Sequence, residues 1–138
     1  MYKILICDDN PADIFLAEEA LEESDFQCIT KTAKDGEDAL FVIKTFKPNI
    51  ILLDLNMPKM NGLEFLEELR KIPEYDDVVV VVLTTSSQED EIFDTMTKGA
   101  DSYMVKNPDG SFTPQMITLK SIYQDKHFKF IKYKRTEV

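Results

Sequence analysis

Short apolar runs alternate along this chain with stretches whose apolar residues recur at helical spacing. Tyr2–Cys7 reads as a strand, and Asp13 to Ser24 as a helix carrying Ile14, Ala17 and Leu21, with Leu16 and Ala20 beside them. Phe26 to Thr32 is rich in β-branched and aromatic residues. Gly36 to Phe46 is helical, with Ala39, Leu40, Val42, Ile43 and Phe46 on its apolar side. Asn49–Asp54 and Val78–Leu83 are short continuous apolar runs that flank a helical stretch, Gly62 to Ile72, carrying Leu63, Leu66 and Leu69. Gln88 to Lys98 is helical with Gly99 as its C-cap, Ser102–Val105 is a fifth strand, and Phe112 to about Phe128 is a last helix with Pro114 near its first turn.

Strand followed by helix, five times over, predicts a parallel sheet covered on both faces. The uninterrupted runs fit, because a strand buried on both sides needs no polar alternation. The architecture expected is a flavodoxin-like, doubly wound (βα)5 fold: a five-stranded parallel sheet of order 2-1-3-4-5 joined by right-handed crossovers.

The 138 residues are 43% hydrophobic and 30% charged, enough for one domain with a real core. Charge is uneven. Residues 1–125 carry a net of −14, and residues 126–138 carry +4. The expected organisation is a domain over 1–125 and a basic C-terminal helix extension or tail over 126–138. An acidic body argues against nucleic acid as a partner. No run reaches the roughly 20 apolar residues of a membrane span, and the first strand meets Asp8 too soon for a signal peptide. Two cysteines, Cys7 and Cys28, read as reduced core thiols. A cytoplasmic location is expected.

In an open parallel sheet, ligands bind beyond the carboxyl ends of the strands. Here the first strand ends in Asp8-Asp9, the third in Asp54, the fourth in Thr84-Thr85-Ser86-Ser87 and the fifth in Lys106. Each has a plain structural reading alone. Asp8-Asp9 suit a helix N-terminus, Asp54 a turn before Pro58, Ser87 an N-cap, and Lys106 a solvated surface. Together they place three carboxylates, a hydroxyl and an ammonium on one rim. Crowded carboxylates resist ionisation unless a cation joins them, and Mg2+ favours such oxygen donors while leaving room for a phosphate oxygen. A carboxylate can itself be the nucleophile in phosphoryl transfer. His127, the one histidine, reads as a surface residue.

The segments Ile4–Asp9, Ile51–Pro58 with Asn61-Gly62, Val82–Thr84 and Gly99–Lys106 resemble, in order and spacing, the response-regulator receiver domain of two-component signalling. The resemblance spans roughly residues 2–125. It implies Asp54 as acceptor of a phosphoryl group from a histidine kinase or phosphotransfer protein. It implies Mg2+ on Asp9, Asp54 and the backbone carbonyl of Asn56, with Asp8 acting through a metal-bound water. Thr84 would contact the phosphoryl group, Lys106 would pair with it, and Tyr103 would be the switch aromatic whose movement alters a surface read by a downstream protein target. Thr84 is preferred to Thr85 by spacing from Ile92 and because strand alternation sends one of the two inward.

One departure stands out: the family has proline directly after the lysine, whereas Asn107 follows Lys106 here. Few residues follow the last expected helix, so a single-domain regulator or phosphorelay shuttle is expected. It would not be an enzyme beyond self-phosphorylation and self-dephosphorylation, and a homodimer is left open. Three rival readings are an inactive receiver-like module, an aspartyl-phosphate phosphatase and an FMN-binding flavodoxin. The complete acid, hydroxyl and lysine set opposes the first. Asn56, unable to exchange a proton where such phosphatases place an aspartate, opposes the second, and Asp8-Asp9 would repel the phosphate of FMN.

Overall fold

The computed structural model describes residues 1–24, 26–84, 89–106 and 115–136, the side chains at 84, 89, 115, 117 and 128–136 excepted. Its elements run β1 (Tyr2–Cys7), α1 (Pro11–Glu23), β2 (Cys28–Ala33), α2 (Gly36–Phe46), β3 (Ile50–Asp54), α3 (Gly62–Arg70), β4 (Val79–Thr84), α4 (Glu89–Thr97), β5 (Ser102–Val105) and α5 (Leu119–Thr136). Short 3-10 turns lie at Pro73–Tyr75 and Gln115–Thr118. The five strands form one parallel sheet of order β2-β1-β3-β4-β5, the order expected.

The continuous apolar runs are explained by the pleat. Val78, Val80 and Val82 face one core with Ala39, Ile43 and Phe46 of α2 and Phe65, Leu66 and Leu69 of α3. Val79, Val81 and Leu83 face the other with Ala17, Ala20 and Leu21 of α1 and Leu119 of α5. Leu52 and Leu53 are both wholly buried, on opposite faces. At about 1.5–3 kcal/mol for each fully buried aliphatic side chain, these central strands anchor the fold.

The start of β2 and the burial of Cys28 differ from expectation. β2 begins at Cys28 because Phe26 still belongs to the turn: its N–H donates to the Leu21 carbonyl, 3.3 Å away, and its ring packs on Tyr2 at 4.9 Å. Cys28, expected in the core, is half-buried at the sheet edge, while Cys7 is buried; both are free thiols. The last helix continues through Thr136, with a 3-10 turn ahead of it; Phe112 to Pro114 lie outside the described residues. Lys126, grouped with the tail by charge, is bonded to the body: its Nζ donates to the Val78 carbonyl and to Asp101, each at 3.0 Å.

Candidate functional site

Strand register builds the site. Cys7 pairs with Leu53, so Asp8 and Asp54, the next residue on each strand, leave the sheet side by side. Asp54 pairs with Leu83 and Thr84 with Val105, which brings the ends of β3, β4 and β5 to one level with Lys106 just beyond.

At this rim Asp8, Asp9 and Asp54 converge, with one carboxylate oxygen of each within 4.8 Å of the others. Asp8 is 2% exposed and Asp54 9%, whereas Asp9 is open to solvent. The helix-cap reading of Asp8-Asp9 is not what the chain adopts. Asn10 caps α1, its side chain accepting from the N–H groups of Ala12 and Asp13, with Pro11 in the first turn. Asp8 instead accepts from the Asn10 N–H at 3.0 Å, which fixes the chain as it leaves β1. Asp54 Oδ1 accepts from the Asn56 N–H at 3.4 Å.

The electrostatics follow from burial. The Asp54 carboxyl is pushed up to about 6, first by desolvation and then by the Asp8 charge, with Lys106 opposing. Asp8 is also raised, again chiefly by burial, against the Asn10 N–H and Lys106. Lys106 is 8% exposed. Burial would lower its ammonium, but Asp13, Asp8 and Asp54 outweigh that and hold it above the ordinary lysine value. Its Nζ lies 3.4 Å from Asp8 Oδ2 and 3.1 Å from Asp13 Oδ2.

Asp13 is the member of this group that sequence reasoning missed. By hydrophobic pattern it marks only the start of a helix. The available signal was its spacing: four residues beyond Asp9, in the first turn of α1, an acid returns toward the same rim. Tyr103 lies on β5 and is 41% exposed. Thr84 is the last residue of β4; its hydroxyl, Thr85 to Ser87 and the Lys106–Asn107 linkage lie outside what the structure describes.

This acidic rim on a β2-β1-β3-β4-β5 sheet agrees with a family match: the model of the response regulator receiver domain covers residues 4–117. The chain belongs to that family. Receiver domains are signalling proteins of two-component systems rather than classical enzymes. This receiver is 34% identical to response regulator Rcp1 of Synechocystis sp. over an alignment of 111 residues that covers 75% of this chain and 76% of Rcp1. It is 34% identical to the transcriptional regulatory protein PhoP of Bacillus subtilis over 118 residues, 86% of this chain but 46% of that longer protein. Among solved structures, the phosphorylated cyanobacterial phytochrome response regulator RcpA superposes with a TM-score of 0.72 at 33% identity, covering 92% of each chain. The Mn(2+)-bound form of Rcp1 superposes with a TM-score of 0.70 at 30% identity, covering 91% of this receiver and 89% of Rcp1. Among the described residues of this receiver, no helix is long and apolar enough to cross a membrane.

Proposed function

We propose that this receiver is a phosphoacceptor in a phosphorelay. Asp54 takes a phosphoryl group from the phosphohistidine of a histidine kinase or phosphotransfer protein. The observation that carries this reading is the convergence of Asp8, Asp9 and Asp54 beside the buried ammonium of Lys106. An Asp54 carboxylate oxygen attacks phosphorus; the P–O bond forms as the P–N bond breaks, and the histidine leaves with its electron pair and takes up a proton.

Hard oxygen donors at this spacing, two of them buried and resisting ionisation together, suit a divalent cation of the Mg2+ type. The Mn(2+)-bound Rcp1 relative supports that fit. Asp9, Asp54 and the Asn56 carbonyl would hold the ion directly, and Asp8 through a water. Bound Mg2+ supplies charge neutralisation for the acids and for the incoming phosphoryl oxygens. Asp8 orients the ion's hydration and holds Lys106, and Lys106 pairs with the transferred group. The Thr84 hydroxyl, at the end of β4, would receive a phosphoryl oxygen once Asp54 is modified.

The output is a protein surface. Phe93 and Met96 of α4 are exposed, as is Tyr103 of β5. Of the described α4 residues only Thr95 is buried, so this helix is lightly held. One added phosphoryl charge biases the Thr84 and Tyr103 switch, and a downstream protein target reads the altered face. The RcpA relative, solved in its phosphorylated form, supports this chemistry for the fold. A cytoplasmic setting follows from such partners.

The test is incubation with acetyl phosphate and Mg2+ followed by intact mass measurement. Wild type gains about 80 Da, one phosphoryl group. Asp54→Asn gains nothing, and neither protein gains mass with a chelator present. Equal labelling of both proteins would overturn the assignment of Asp54, and labelling without a divalent cation would overturn the role of the ion.

A further inference from the structure

The Lys106 ammonium lies closer to Asp13 than to Asp8, at 3.1 Å against 3.4 Å. The lysine side chain is 5% exposed and the Asp13 carboxylate 28%, so the pair is only partly screened by water. Asp13 stands in the first turn of α1, where the helix dipole favours an anion, and its position is fixed by the Asn10 cap. It is not one of the three acids that converge on the candidate ion. Its carboxylate therefore keeps its full charge when a cation neutralises the others.

We propose that Asp13 is a positioning residue that draws Lys106 toward α1 and competes with the phosphoryl group on Asp54 for its ammonium. The proposal rests on Asp54 being the phosphoacceptor. Phosphorylation turns the singly charged Asp54 carboxylate into an acyl phosphate carrying roughly two negative charges, a net gain of about one at the rim. Lys106 gains a stronger partner, yet turning its ammonium toward the phosphoryl group stretches the bond to Asp13. The net stabilisation of the phosphorylated state is the difference between the two contacts. Asp13 thus sets how strongly Lys106 holds the phosphorylated form, without touching the phosphoryl group.

The test is a double-mutant cycle in which fluoroberyllate, a tetrahedral phosphoryl mimic, is titrated calorimetrically into Mg2+-loaded protein. Asp13→Asn, which keeps the shape and removes the charge, is expected to bind about three- to tenfold more tightly than wild type. In a Lys106→Gln background the same substitution changes affinity by less than about twofold. Asp13→Glu, which restores the charge, stays near wild type. Unchanged or weaker binding by Asp13→Asn, or an equal gain in both backgrounds, overturns the proposal while leaving Asp54 as acceptor. Failure of wild type to bind fluoroberyllate overturns the phosphoacceptor reading itself. In metal-free buffer, thermal unfolding of the same variants is expected to show Asp13 and Lys106 substitutions to be non-additive; additivity would remove the pairing on which the proposal stands.

Discussion

Gly62 lies directly against the backbone of Asp54. A Cβ placed on Gly62 would overlap the Asp54 carbonyl oxygen and come within 2.8 Å of Leu55 Cα. The Gly62 N–H also donates to the Leu55 carbonyl at 3.1 Å, so the start of α3 is fastened to the end of β3. The loop between them carries Asn56, and this close approach holds it beside the acids. Gly62→Ala forces backbone apart from backbone, with no flexible side chain to give way. A loss of about 1–3 kcal/mol is expected from such overpacking, read from urea unfolding midpoints. Labelling by acetyl phosphate is expected to slow in the fraction that remains folded.

The raised carboxyl of Asp54 gives a pH dependence of defined sign. Its value near 6 in the native state exceeds the ordinary 3.8, so the native protein binds more protons between those values than the unfolded chain. Metal-free stability therefore falls as pH rises from about 4 to about 6, and the penalty is full above that window. The Asp54→Asn variant lacks this slope, so the difference between the two proteins' melting temperatures isolates it. Mg2+ bound as proposed is expected to reverse the trend, because the ionised acids are the form that would hold it. The stabilisation by a fixed Mg2+ concentration is expected to grow as pH rises through 6.

A second polar cluster lies at the amino-terminal ends of β4 and β5, away from the acids at the carboxyl ends of β1 and β3. Asp101 accepts from the Val80 N–H at 2.8 Å, from Arg70 at 3.0 Å and from Lys126 at 3.0 Å. Arg70 also donates to the carbonyls of Gly99, Tyr75 and Val78. One carboxylate thus ties α3, β4, β5 and α5 together. Asp101→Ala leaves two partly buried cations and a strand N–H without their partner. A loss of about 2–4 kcal/mol is expected by chemical denaturation, below the range for a fully buried pair because Asp101 is 20% exposed.

Lys47 closes α2 in the left-handed region, at φ 52°. A side chain there is strained by roughly 1–2 kcal/mol relative to glycine. Lys47→Gly is expected to stabilise the protein by about 0.5–1 kcal/mol after the entropy of the unfolded glycine is counted. A melting temperature at or below that of wild type would show that Lys47 makes compensating contacts.

The sheet was legible because its central strands obey a simple rule. Val78–Leu83 and Ile50–Leu53 are apolar at every position, which only two-sided burial explains. Gly36 to Phe46 was legible to the residue, since Asp35 caps one end and the apolar period breaks at the other. The acids were legible as strand-terminal residues, but their meeting was not a property of any one segment. It depends on the register that places Cys7 opposite Leu53. Asp13 was hidden for the same reason: its partner lies 93 residues away, just past the end of a strand that local pattern cannot align with α1. Asp101 was visible only as part of a family motif, because its role depends on cations from two distant helices. The end of α5 was left open between a helix extension and a tail, because the mixture of bases and aromatics after Phe128 shows no helical period.

Whether Asp54 carries the phosphoryl group is decided by locating the modified residue. Protein treated with acetyl phosphate and Mg2+ is reduced with borohydride, which converts an acyl phosphate on aspartate to homoserine, and is then digested and sequenced by mass spectrometry. Homoserine is expected at position 54, with unmodified aspartate at positions 8, 9 and 13. Homoserine at any of those three positions, or a phosphoryl group recovered on a histidine or hydroxyl with position 54 intact, would contradict the assignment of Asp54.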